Sequence, residues 1–268
     1  MQKTKATYGT MFLFGVRIDN IDFDSAFDAV CRYFTREPAG GPRQVFFTNA
    51  HTIHLARRDA EFRAIVNRAD AVLPDGSGLK FAGRMLNKPI IANLNGTDFT
   101  PRVIGEASTK GWTIYLMGGR QGVAERCRAF LQQKFPGVSI VGVHHGHFVQ
   151  EEEEGIIEDI NRKGPDMLLV AMGSPLQEKW IAQNAHRLKV KACFAVGGLF
   201  DFLSGERKRA PHWMRRIGVE WIFRFFQDPK SKWNRIVIEI PLFVALVLAK
   251  RLIPHALQQF ISKWRVAV

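Results

Sequence analysis

Asp75 is the residue whose setting offers the most chemistry. It lies in AVLPDGSGLKFAG (71–83), where a short apolar run ends at Pro74 and breaks into Asp75-Gly76-Ser77-Gly78. Apolar residues return at Leu79 and Phe81. A carboxylate at such a strand-to-helix junction can take the proton from an attacking hydroxyl. Gly76 and Gly78 allow tight backbone and close approach of a ligand. The alternative is an Asp-Gly turn whose carboxylate caps the helix SGLKFAGRML. Taken alone, the stretch allows either.

Two further junctions have a similar build. MGGRQGVAE (117–125) follows a strand and opens a helix, so amides at Gly118 and Gly119, with the helix dipole, suit a diphosphate. Its glycine spacing is only loosely that of a dinucleotide fingerprint, and no acidic residue follows the next strand where a nicotinamide site needs one. AMGSPLQEKW (171–180) has a glycine turn and Pro175 at a helix start, with Gln177 and Glu178 in the first turn. An uncharged amide at Gln177 can bridge a sugar hydroxyl and a phosphate. Glu178 is accounted for by the helix dipole.

Other motifs carry less. Three histidines in VHHGHF (143–148) lack the spacing of a zinc site and suit a rim loop touching phosphate or the sheet edge. Asp22-Phe23-Asp24 spells the Asp-x-Asp of metal-dependent sugar transferases, yet it precedes the first helix, where Asp24 reads as an N-cap. There is no G-x-S-x-G elbow and no P-loop Lys-Ser/Thr, which argues against hydrolase and NTPase chemistry.

The elements that must position these residues follow one pattern. MFLFGV, QVFFTN (44–49), AVL (71–73), WTIYLM (112–117), VSIVGV (138–143), DMLLVAM (166–172) and ACFAVGG (192–198) are short apolar runs, as expected of strands covered on both faces. Amphipathic stretches separate them, which predicts an α/β fold: a Rossmann-like, doubly wound, mostly parallel sheet. Ligands bind such sheets beyond the carboxyl ends of the strands, where Asp75 falls.

Composition bounds the rest. The chain has 268 residues, 46% hydrophobic and 24% charged, enough for one large domain or a domain with an appendage. Three cysteines without a pairing pattern read as reduced core residues of a cytosolic protein. The apolar run near the N-terminus is too short for a signal segment and reads as a first strand. A net charge of +13 asks for an anionic partner. Residues 201–268 hold 13 Lys and Arg against 5 Asp and Glu, a net of +8, mixed with Trp and Phe. The division expected is a core over 1–200 and a helical basic-aromatic appendage over 201–268. The apolar stretch Ile236 to Ala249 contains Glu239 and Pro241 and falls short of the roughly 20 residues of a span. It suits a helix lying in a membrane interface, or a helical hairpin packed on the core.

PDGSGL (74–79), NGTDFTP (95–101), GVHHGHF (142–148), VAMGSPLQEKWI (170–181) and VGGLFDFLSGERKRAPHWMRRIGVEWIFRF (196–225) together resemble the WecG/TagA/CpsF glycosyltransferases of bacterial surface polysaccharide and teichoic-acid synthesis. The likeness runs from about residue 11 to 235. It implies transfer of a sugar, with inversion, from a UDP donor to a polyprenyl-diphosphate-linked acceptor, without metal or cofactor, by a peripheral enzyme on the cytoplasmic membrane face. Asp75 matches the family's proposed base, Asn49 an asparagine near the donor, and Gln177 a glutamine contacting donor or acceptor. Thr48, Gly76, Ser77, Asn93, Gly118 and Gly119 complete the expected binding set in the core. Arg209, Arg224 and Arg235 are expected to reach the diphosphate from the appendage. Asn93 stands where the family commonly has an arginine, so either a C-terminal arginine supplies that charge or the sugar differs, with N-acetylmannosamine and glucose both open. A homo-oligomer is compatible with all of this. Two rivals are a basic-aromatic nucleic-acid-binding module and a nucleotide-dependent oxidoreductase on the same sheet. No RRM, KH or OB pattern supports the first, so nucleic acid is not expected as a partner.

Overall fold

The computed structural model describes residues 9–35 and 40–252. The stretch ending ISKWRVAV reads from its sequence as an amphipathic tail, and it lies outside the described residues.

MFLFGV does not enter the main sheet. It divides at Phe14-Gly15, both left-handed (φ 53° and 81°), which is the geometry of a two-residue hairpin turn. The outcome is an antiparallel pair, β1 (Gly9–Leu13) and β2 (Val16–Asn20). Asp19 of β2 docks the pair, its Oδ2 accepting the N–H of Val72 at 2.8 Å.

The main sheet has six strands, all paired in parallel. These are β3 (Arg43–Thr48), β4 (Ala71–Pro74), β5 (Thr113–Gly118), β6 (Ser139–His144), β7 (Met167–Ala171) and β8 (Ala192–Ala195), in the spatial order β4-β3-β8-β7-β5-β6. Successive side chains alternate between two apolar layers, as the period of a strand requires. Along β7, Leu168 and Val170 enter one layer, while Met167, Leu169 and Ala171 enter the other. The Leu169 layer is covered by α1 (Phe23–Cys31), α5 (Gly96–Lys110), α6 (Val123–Lys134) and α9 (Leu199–Leu203). The Leu168 layer is covered by α2 (Ala50–Arg58), α3 (Ala60–Arg68), α4 (Ser77–Met85), α7 (Glu153–Lys163) and α8 (Leu176–Asn184).

The start of α1 differs from expectation by two residues. Asp22, not Asp24, is the N-cap and accepts from the Ser25 N–H at 2.9 Å. The Asp-x-Asp carboxylates therefore belong to the cap and first turn of a helix.

Beyond β8 the chain is helical through α10 (His212–Ile217), α11 (Glu220–Gln227), α12 (Pro229–Trp233), a π-helical turn (Asn234–Glu239) and α13 (Ile240–Leu252). This segment is packed onto the core. Phe243 and Val247 of α13 are buried in the Leu168 layer, and α13 lies against α2 and α4.

Candidate active site

β4 ends at Pro74, and the next residue is Asp75. The Asp75 N–H donates to Thr48 O at 2.7 Å, so the carboxyl ends of β3 and β4 are tied together. Thr48 is fully buried and contributes through that carbonyl. Asn49 follows as the N-cap of α2, its Oδ1 accepting from the N–H groups of His51 (3.0 Å) and Thr52 (3.1 Å). With the amide oxygen fixed by the helix, the amide nitrogen is directed at Asp75 Oδ2, 3.5 Å away. Gly76 is left-handed at φ 95°, and its N–H donates to Asn93 Oδ1 at 2.6 Å. Asn93 thus shapes the loop that carries the carboxylate. Ser77 donates its hydroxyl to Gly218 O at 2.8 Å, binding the start of α4 to the C-terminal segment.

No side chain caps α4, whose N-cap is Gly76. The Asp75 carboxylate is therefore not held as a helix cap. Burial raises its pKa above the ordinary 3.8, and Glu220 adds to that. Arg224, Arg235 and the Asn49 amide pull the other way and are outweighed. A carboxylate poised above its usual range suits a general base.

Arg224 and Arg235 act on Asp75 from the C-terminal segment. Arg224 is oriented by Glu220, which accepts from its Nη2 at 2.7 Å and Nε at 3.0 Å, and its guanidinium lies over the Phe202 ring at 4.8 Å. Arg235 belongs to the π-helical turn. Arg209 is held at the N-terminus of α5, its Nη1 2.7 Å from Asp98 Oδ1 and its Nη2 donating to Thr97 Oγ1 at 3.1 Å. Arg215 comes within 3.9 Å of the same carboxylate. Burial raises the Asp98 pKa, but the bonds from Arg209 and Asn95 bring it below the ordinary value.

A cleft of about 310 Å³ opens beyond β5, β7 and β8, with Gly119, Arg120, His147, Gly173, Asp201 and Arg207 in its walls. The glycine turn after β5 serves it differently from expectation. A Cβ on Gly118 would collide with the Ala171 carbonyl, so this glycine allows β5 and β7 to close together. The Gly119 N–H donates to Ala171 O at 3.0 Å, so in this structure it is engaged within the protein rather than turned to the cleft. Gln177 also differs. It is buried, its Oε1 accepting from Gly197 N (2.9 Å) and Gly173 N (3.2 Å), and its Nε2 donating to Glu178 Oε1 (2.9 Å). Ser174 donates to the same Glu178 oxygen at 2.6 Å. Gln177 thus fastens the two loops that wall the cleft. Burial raises the pKa of Glu178 despite those two donors.

Several residues here were not singled out from the sequence: Arg120, Asp201 and Arg207 in the cleft, and the pair His51 and Glu239. His51 Nδ1 and Glu239 Oε2 are 2.6 Å apart. The signal for Glu239 was present, because a carboxylate within an apolar run calls for a partner. The His147 ring lines the cleft, in keeping with a rim loop, while His144 Nδ1 bonds the His145 carbonyl. Among the described residues no three His, Cys, Asp or Glu side chains group as a metal site, and no helix is long and apolar enough to cross a membrane.

Comparison with known proteins makes the chain a glycosyltransferase. The model described as "Glycosyl transferase WecG/TagA/CpsF family" matches residues 11–256, and the chain belongs to that family. Similar proteins include the N-acetylglucosaminyldiphosphoundecaprenol N-acetyl-beta-D-mannosaminyltransferases of Staphylococcus aureus strains MRSA252, MW2 and NCTC 8325. Each is 27% identical over 247 residues, covering 91% of this chain and 94% of the relative.

Proposed function

We propose that the chain is an inverting glycosyltransferase that moves a sugar from a UDP donor to a polyprenyl-diphosphate-linked acceptor in cell-surface polysaccharide synthesis. The observation that carries this reading is the uncapped Asp75 carboxylate, raised by burial and faced by Arg224 and Arg235. The relatives' names support the lipid-diphosphate acceptor. The acceptor hydroxyl attacks the anomeric carbon and gives its proton to Asp75 as the new C–O bond forms. The anomeric C–O bond to phosphate breaks on the opposite face, and UDP leaves with the electron pair. Arg224 and Arg235 stabilise the charge that develops on the diphosphate. The cleft walled by Gly119, Gly173 and Arg207 receives the nucleoside end of the donor. The donor sugar is N-acetylmannosamine, as in the relatives' names, or a hexose such as glucose.

In this reading residues 1–200 form the catalytic core and 201–268 an appendage on the cytoplasmic membrane face. Trp213, Ile217, Phe226, Trp233 and Ile238 are more than half exposed, in a part of the chain rich in arginine and lysine. That combination suits an anionic interface. The test is purified protein with a panel of UDP sugars and a short-chain prenyl-diphosphate sugar, read by UDP release. Acceptor-dependent release from one donor is expected. Release that ignores the acceptor, or none from any donor, would overturn the reading.

A further inference from the structure

Glu239 is partly buried within a run that is otherwise apolar from Ile236 to Ala249. Its partner is His51, in the first turn of α2, two residues after the asparagine that faces Asp75. Their side chains are 25% and 15% exposed for His51 and Glu239, and the 2.6 Å separation is that of a strong, charge-assisted bond. Glu239 closes the π-helical turn that begins at Asn234, and Arg235 lies on that turn. Hydrogen bonding from i to i+5 widens the turn, so positions four and five apart share a face. Arg235 and Glu239 are four apart, and Arg235 interacts electrostatically with both Glu239 and Asp75. The turn packs on α2.

We infer that His51 and Glu239 form a latch that positions Arg235 over Asp75 by fixing the π-helical turn to the N-terminus of α2. His51 is thereby a positioning residue that acts through Glu239 and Arg235. The Ser77 bond to Gly218 O fastens the same C-terminal segment at the start of α4, so it is tied down on both sides of Asp75. A packing contact alone does not explain why a carboxylate occupies this place, since an apolar side chain would fill it at lower desolvation cost.

The inference rests on the glycosyltransferase reading for its kinetic arm only, and a second arm does not need activity. Full-length His51→Ala, His51→Gln and Arg235→Ala, with the double variant His51→Ala/Arg235→Ala, are compared by UDP release and by amide hydrogen exchange over residues 234–239. His51→Ala is expected to lower kcat by up to about 10²-fold, the scale of a misplaced catalytic group, with KM for the donor changing much less. His51→Gln, which keeps a donor for Glu239, should recover most of the loss. His51→Ala should cost little further in the Arg235→Ala background, because the two act in series. Exchange over 234–239 should rise in His51→Ala and fall back in His51→Gln. Wild-type kcat in His51→Ala, or an undiminished loss in the Arg235→Ala background, would overturn the latch. So would unchanged exchange over 234–239. A wild-type protein that releases no UDP from any donor would overturn the functional reading instead, with the exchange arm still deciding the latch.

Discussion

Two demands meet at Asp75. Burial that raises its pKa suits the proposed role of base and at the same time penalises the folded protein whenever the group is charged. In the unfolded chain Asp75 ionises near its ordinary 3.8; in the folded chain it holds its proton to higher pH. The folded state therefore binds more protons between those values, and stability falls as pH rises through that window. Asp75→Asn should cut turnover by about 10²-fold or more. It should also melt at a higher temperature than wild type at neutral pH, an advantage that disappears once pH falls below 3.8. Thermal melts across pH, with UDP release at neutral pH, check both halves; lower stability at neutral pH would contradict the burial argument. Arg224 holds the Asp75 pKa down, and removing it also frees the Glu220 charge, which raises that pKa. Both changes have one sign, so Arg224→Gln should move the acid limb of the kcat/KM profile to higher pH as well as lowering its plateau. Asp22 offers the contrast. Asp22→Ala removes the cap of α1 and should cost about 0.5–2 kcal/mol in a denaturant melt, with turnover unchanged.

Among the elements, the loops after β7 and β8 depend on one side chain. Gln177→Ala would leave the Gly173 and Gly197 N–H groups without their acceptor and remove one of the two side-chain donors to Glu178 Oε1. Such a loss costs about 1–3 kcal/mol and should raise KM for the donor more than it lowers kcat, as measured by a denaturant melt and initial rates. The strands and helices that carry these loops were legible in the sequence because both faces of the sheet are covered, which left uninterrupted apolar runs. The hairpin at Phe14-Gly15 was not, since MFLFGV reads as one run until the backbone turns within it. At the rim, Asp75 was visible from its neighbours: a strand, a proline and two glycines. What Gln177 and Gly119 do was hidden, because each bonds across to a loop or strand distant in sequence. His51 and Glu239 are 188 positions apart, and no local pattern joins them.

At the scale of the molecule, the C-terminal segment is part of the structure as well as of the site. Val247 is fully buried and Phe243 nearly so, both in the same apolar layer as Leu79 and Ala82 of α4. Phe243→Ala should cost about 3–5 kcal/mol, the range for emptying an aromatic core position. Truncation after Ser204 should keep the parallel sheet, whose last strand ends at Ala195, but with a lower melting temperature. It should also abolish transfer to a soluble acceptor and binding to anionic vesicles, since Arg224, Arg235 and the exposed tryptophans leave together. Activity of that fragment on a soluble acceptor would return the diphosphate contacts to the core. The order of these parts along the chain also matters during translation. A polypeptide leaves the ribosome N-terminal end first and folds domain by domain as it emerges. Asp75 and the whole parallel sheet are made before Arg224, Arg235 or Glu239 exists, so a nascent chain holds the Asp75 carboxylate long before it holds the cations that act on it. A chain cut short well past β8 but before α11 would therefore carry Asp75 and the sheet without the cations that act on that carboxylate.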